Sequence, residues 1–279
     1  MQLLSQITTR LRLHSSECNQ TALVLEAIKQ TKTNLKIFPA IYTLNFDSYG
    51  HARQVRALKE ALQTYGTSNV LGITVDYTID NRNGDTDMYF PETEGSLDIR
   101  EILSSINVRL PVGSASGIPF GGNLNGSVFG CVFIIPQRLT TKVADLFLFS
   151  SSMVNARAWQ YNISIQDAAK WTFDYFNETG VTFARFLKYQ PQIYMAEAGW
   201  PTNSSSSVVN PSAASVENLQ LFINSFVCTA NTQGIKYFFF EYMDIPWKQN
   251  LYPGVGGFWG LFNVDRTLKA ITLPDCAHV

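Results

Sequence analysis

Little of the punctuation that marks ligand and metal sites is present in this chain of 279 residues. Cysteine occurs only as Cys18, Cys131, Cys228 and Cys276. No two of these form a C-x-x-C pair, which argues against a structural zinc centre; no metal is expected. There is no G-x-G-x-x-G turn and no P-loop, so the phosphate cradles of dinucleotide and nucleoside triphosphate sites are missing. No run of about 18 apolar residues exists, so no membrane span is expected. The opening MQLLSQITTRLRL lacks a basic segment followed by a long apolar core and does not read as a secretory leader. Charged residues are sparse at 15 % and balance to a net −1, which recommends neither nucleic acid nor an anionic membrane as partner.

Apolar character is what the chain has in quantity, with 46 % hydrophobic and 13 % aromatic residues. That composition buries a core and excludes a disordered chain. A single barrel of alternating strands and helices needs about 250 residues, so one such domain over 1–279 fits the length. Five N-x-[ST] sequons, at Asn19, Asn125, Asn162, Asn177 and Asn203, argue modestly for secretion.

Strand-like and helical runs alternate along the chain. Strands are expected near 8–14, 34–43, 69–77, 108–115, 145–156, 191–199 and 235–244. Helices are expected over 19–32, 49–65 with Gly66 as the stop, 96–106 with a Ser96 cap, 165–176 and 212–230. Strands this continuously apolar are buried on both faces, as in a parallel sheet wrapped by helices. The expected fold is α/β, a TIM-type (β/α)8 barrel. Seven strands are read where a barrel has eight, so the first strand is expected to be missing. Residues 117–139 break the alternation and read either as a long active-site loop or as an unmatched insert.

In an α/β barrel the site is built from the carboxyl ends of the strands. That rule selects Glu197 after IYMA, Glu241 and Asp244 after YFFF, Asp76 after GITV, and Asn155, Arg157 and Trp159 after SSSMV. Arg10 and His14 belong to the first visible strand. A carboxylate that closes an apolar strand is costly to bury without a partner or a task. Glycoside hydrolysis is a task for two of them, one the acid and the other the nucleophile or base. For any one such residue, an ordinary ion pair is the competing explanation.

YMAEAGWPT resembles the Y-[IV]-A-E-T-G-W-P-[ST] signature of glycoside hydrolase family 17, the fungal β-1,3-glucanases and glucanosyltransferases. ALQTYGTSNVLGITV, AAKWTFDYF, ASVENLQLFINSFVCTANTQGIKYFFFEYMDIPWK and WGLFNVDRTLKAITLPDC are similar to the same fungal branch. The resemblance implies a barrel and a retaining mechanism with no cofactor. It implies Glu197 as the nucleophile, with Glu241, Trp200, Trp247 and Asn155 along the sugar cleft. It further implies β-1,3-glucan as substrate, an extracellular or cell-wall setting and a monomer. Cys228 and Cys276 both stand at family positions, whereas Cys131 lies in the unmatched insert.

The departures fall at the site. The general acid of the family is the Glu of G-I-[ST]-V-G-N-E, but this chain continues GITV with Asp76 and Tyr77. Asp76 is the nearest carboxylate and the candidate acid. Arg157 stands where the family has His, His14 where it has Tyr, and Ile245 where it has Glu. Feeble β-1,3-glucan hydrolysis or transglycosylation is therefore expected. The alternative is a catalytically inactive barrel that binds glucan.

Overall fold

The computed structural model describes residues 1–44, 47–78, 99–116, 151–186, 191–204 and 214–276. The unmatched segment 117–139 and the Ser96 cap lie outside the described residues. The chain forms two compact units, one of Met1–Met153 with Ala184–Gln192, the other of Val154–Phe183 with Ile193–Val279.

In the first unit, β1 (Arg10–Arg12) pairs parallel with β2 (Lys36–Phe38). Beyond Pro39, β3 (Ala40–Leu44) pairs parallel with β4 (Ile73–Thr78), and β4 with β5 (Val112–Ser116). The single strand expected over 34–43 is thus divided at Pro39, which has no N–H to offer a ladder. The neighbouring segment, 70–74, is irregular at the same place. Ile37 pairs with Val70, but Ala40 pairs with Thr74, so one extra residue of the partner is accommodated opposite Pro39. Gly72 lies in that bulge, where an added Cβ would fall 2.6 Å from Phe38 Cε1.

Two helices flank these strands in sequence. α1 (Gln20–Thr31) buries Thr21, Leu25 and Ile28, one face of its turns. α2 (Ser48–Tyr65) begins with the Asp47 side chain accepting from Gly50 N and ends at Gly66, whose φ of 71° suits a residue without Cβ. It buries Gln54, Val55, Leu58, Ala61 and Leu62. Gln54 ties three segments together: its Oε1 accepts from Ser15 Oγ (2.9 Å), Ser16 N (3.2 Å) and Tyr42 N (3.0 Å), while its Nε2 donates to Tyr42 O. A third helix, α3, covers 99–105. Ile37, Ile41, Ile73, Val75 and Val112 of the strands meet Leu25, Ile28, Leu58, Leu62, Ile99 and Leu103 of the helices in one core.

β6 (Ser151–Asn155), β7 (Gln192–Ala198) and β8 (Tyr237–Phe239) follow in order, with β7 and β8 parallel; β8 and all of β7 after Gln192 belong to the second unit. α4 (Ile165–Phe176) is capped by Ser164, and its last turn widens into a π-turn at Asn177–Val181 before α5 (Thr182–Phe186). α6 (Val216–Thr232) starts four residues later than expected, where Ser215 Oγ accepts from Asn218 N. Aromatic rings hold α6 to its neighbours: Phe226 stacks on Phe173 of α4 and on Phe222, and meets Tyr237 of β8 edge-on. Each such ring removes a large apolar surface from water, worth about 1.5–3 kcal/mol. A disulfide joins Cys228 on α6 to Cys276, with 5.4 Å between the Cα atoms. Among the described residues, no helix is long and apolar enough to cross a membrane.

Candidate active site

Glu197 sits near the carboxyl end of β7 and is 5 % exposed. Its place in the strand is irregular. Met195 pairs with Tyr237 and Ala198 with Phe239, so β7 carries an extra residue between them. Bulges of this kind re-aim a side chain and recur beside active sites. Gly199 follows because nothing larger fits: an added Cβ would lie 2.1 Å from the Phe240 carbonyl oxygen.

Arg157 Nε approaches Glu197 Oε2 to 3.2 Å. The N–H is not aimed at the oxygen as a hydrogen bond requires, so the contact is one of charge. The Arg157 guanidinium also lies over the rings of Phe240 (5.2 Å) and Trp259 (5.8 Å).

Glu241, 9 % exposed, follows β8, and the peptide joining it to Phe240 is cis. Its backbone is fixed on both sides, Glu241 N donating to Trp259 O and Leu261 N to Glu241 O, each at 2.9 Å. Lys248 Nζ lies 2.5 Å from Oε2, while Oε1 finds no hydrogen-bond partner among the described residues. Burial pushes the Glu241 carboxyl above the ordinary carboxylate range. The charge and hydrogen bond of Lys248 oppose this, and the negative charges of Glu197 and Asp244 add to it. Lys248 Nζ also lies 5.3 Å from the centre of the Phe240 ring, which therefore serves both cations.

Asp244 forms a second buried pair with Lys269 at 2.7 Å and accepts from Gly260 N at 3.0 Å. Burial lowers the Lys269 ammonium below the usual lysine value, with Asp244 opposing. The rest of the Lys269 hold is Thr202 Oγ1 at 2.5 Å.

The other expected site residues are placed as follows. Asn155 ends β6, and its Oδ1 finds no hydrogen-bond partner among the described residues. Trp247 is 61 % exposed, in the short helix Pro246–Asn250. Trp200 is fully buried and stacks on Phe222. The expectation that it lines a sugar cleft is corrected: its ring is a core element. Asp76 lies on β4 of the first unit, its backbone paired with Tyr42, and its side chain lies outside the described residues. Arg10 is on β1, and the His14 ring is 3.3 Å from Arg12 Nη1.

Glu197 and Glu241 are thus brought into one charged cluster, and Asp244 joins it. Lys248, Lys269 and the rings of Phe240 and Trp259 were not anticipated. A signal for Lys248 existed, because buried carboxylates need cations and a lysine stands seven residues after Glu241. Among the described residues, no group of three or more His, Cys, Asp or Glu could hold a metal ion.

A profile of the BtgE/BtgC glycoside hydrolase domain matches residues 149–260. That stretch contains Arg157, Glu197, Glu241 and Lys248. A sequence described as the glucan endo-1,3-beta-glucosidase btgC of Aspergillus niger is 28 % identical over 98 % of this chain. This chain spans about two fifths of that relative, 39 % of its length. A family 17 β-1,3-glucanosyltransferase of Rhizomucor miehei, solved as an active-site mutant with laminaritriose, superposes with a TM-score of 0.72 at 21 % identity, covering 99 % of this chain and 90 % of that one. An endo-laminarinase from Formosa gives 0.71 at 17 % identity, with coverage of 96 % and 78 %. These structural likenesses show the fold, the parallel α/β architecture of family 17 enzymes.

Proposed function

We propose that this chain is the catalytic (β/α)8 barrel of a β-1,3-glucan-active glycosidase, with Glu197 as its nucleophile. The observation that carries the reading is the pair of buried carboxylates, Glu197 beside Arg157 and Glu241 beside Lys248, at the carboxyl ends of neighbouring parallel strands. Glu197 attacks the anomeric carbon as the glycosidic C–O bond breaks, giving a covalent glycosyl-enzyme. Water then completes hydrolysis, or a second glucan hydroxyl completes transfer. Glu241, Asn155 and Trp247 are the proposed sugar contacts. The proposed setting is the cell exterior or wall, and the proposed state a monomer.

Protonation of the leaving oxygen is the weaker half. Asp76 takes that role, a shorter carboxylate than the Glu of the family and displaced from it in sequence. General acid catalysis contributes about 10²–10⁴-fold, so slow turnover is the expected result. The missing G-N-E also favours a second reading, a glucan-binding barrel without activity. Release of reducing ends from laminarin by this chain, assayed beside Glu197→Gln, separates the two. Weak activity abolished by the substitution supports the nucleophile. Equal readings from both proteins refute the enzymatic proposal.

A further inference from the structure

Trp171 on α4 centres an aromatic cluster that the carboxylate chemistry does not use. Its ring lies 4.7 Å from that of Tyr161 and 4.7 Å from that of Tyr175, the latter stacked at 17°. The two tyrosine rings are 5.5 Å apart, and their hydroxyls are 3.2 Å apart. Rings on opposite faces of the indole would be separated by nearly twice the 4.7 Å. The two tyrosines therefore do not sandwich the indole, and Trp171 also lines a groove. That groove, about 420 Å³, is lined by Trp171 with Asn162, Ser164, Asp167, Lys170 and Asp174.

We propose that this groove is a second carbohydrate site, taking a β-linked glucose chain laid across the Trp171 ring. A β-glucose ring offers aromatic carbon an apolar C–H face and carries equatorial hydroxyls around its rim. The groove matches both parts. The indole supplies the flat apolar wall. Asp167 and Asp174 accept, Lys170 donates, and the Asn162 amide does either. Lys170 and Asp174 are paired with each other at a solvated surface, their side chains 80 % and 51 % exposed. Exchanging such an ion pair for sugar hydroxyls costs little. The choice of glucan rests on the activity proposed above, and the function of the site is to hold the polymer while the carboxylate cluster acts.

The test scores adsorption separately from cleavage. The chain carrying Glu197→Gln, made in a bacterium so that no glycan is attached, is mixed with insoluble β-1,3-glucan particles, and depletion from solution is measured. Trp171→Ala is expected to weaken adsorption about tenfold, a loss of about 1.4 kcal/mol, with Trp171→Phe retaining most of it. The exposed double variant Lys170→Ala/Asp174→Ala, which leaves the packing alone, is expected to weaken it several-fold. With Glu197 intact, Trp171→Ala should cleave short soluble β-1,3-oligomers at the rate of its parent. Adsorption through Trp171 without any cleavage would uphold this site and sink the activity reading. Cleavage with adsorption indifferent to Trp171, or no adsorption by the parent, overturns the site. A secreted preparation glycosylated at Asn162 that loses the adsorption shown by the bacterial protein also overturns it, because the groove would then belong to its own glycan.

Discussion

Lys248→Met tests whether the second carboxylate is buried at a cost. Lys248 Nζ is 2.5 Å from Glu241 Oε2, and the two side chains are 19 % and 10 % exposed. Removing one partner of so enclosed a pair leaves an uncompensated charge and costs about 3–5 kcal/mol. Loss of the cation from the Phe240 ring adds about 0.5–1 kcal/mol. At roughly 2 °C per kcal/mol for a chain of this size, the melt should fall by on the order of 10 °C at pH 8. The pH dependence has a definite sign. Burial already raises the Glu241 carboxyl, and Lys248 is the main group holding it down, so the variant raises it further. A carboxyl held above its unfolded value gives a contribution that is complete below that value and is lost as pH rises through the folded one. The deficit of the variant should therefore be largest at pH 8 and shrink towards pH 5. Lys248→Met/Glu241→Met, which leaves no charge behind, should recover most of the loss at pH 8. The measurement is thermal unfolding of the three proteins at both pH values. A deficit independent of pH, or a double variant no more stable than the single one, would refute the reasoning.

Gly199→Ala forces a Cβ to 2.1 Å from the Phe240 carbonyl and should cost at least 1–3 kcal/mol, read as a lowered melt or loss of soluble protein. Cys228→Ser opens a disulfide spanning 48 residues, for which loop entropy predicts a loss of about 4 kcal/mol, visible in denaturant titrations under oxidising conditions. Gln54→Leu keeps the volume but deserts the Ser16 and Tyr42 amides, so about 2–4 kcal/mol should go, and amide exchange at those two positions should quicken.

Strand positions were legible because the residues of strands buried on both faces are apolar without interruption. IYMAEA and IKYFFF announce themselves as β7 and β8 in this way. Helix limits were legible where a residue type has a backbone role, as with Gly66 closing α2. The start of α6 was misjudged because SAAS offers two serines as caps, and it is Ser215 whose Oγ accepts from Asn218 N. Asn-Glu-Thr-Gly-Val carries no signal for a π-turn. In the site, the two carboxylates and Arg157 could be found from strand-end position alone, but the pairing of Arg157 with Glu197, 40 residues apart, could not, because it is set by the packing of neighbouring strands. Trp200 shows another limit. A tryptophan after a catalytic strand reads the same whether its ring faces sugar or, as here, Phe222.

The four-for-three step between Val70 and Thr74 opposite Pro39 sets the phase of β4. Side chains alternate along a strand, so a single extra residue exchanges the faces addressed by all its successors. Deleting one residue from 71–73 would leave a strand still able to hydrogen-bond, yet Val75 and Asp76 would trade places in the pleat. Length is therefore more tightly constrained than identity in this short stretch. A one-codon insertion or deletion there would do more harm to the core, and to any role of Asp76, than most substitutions.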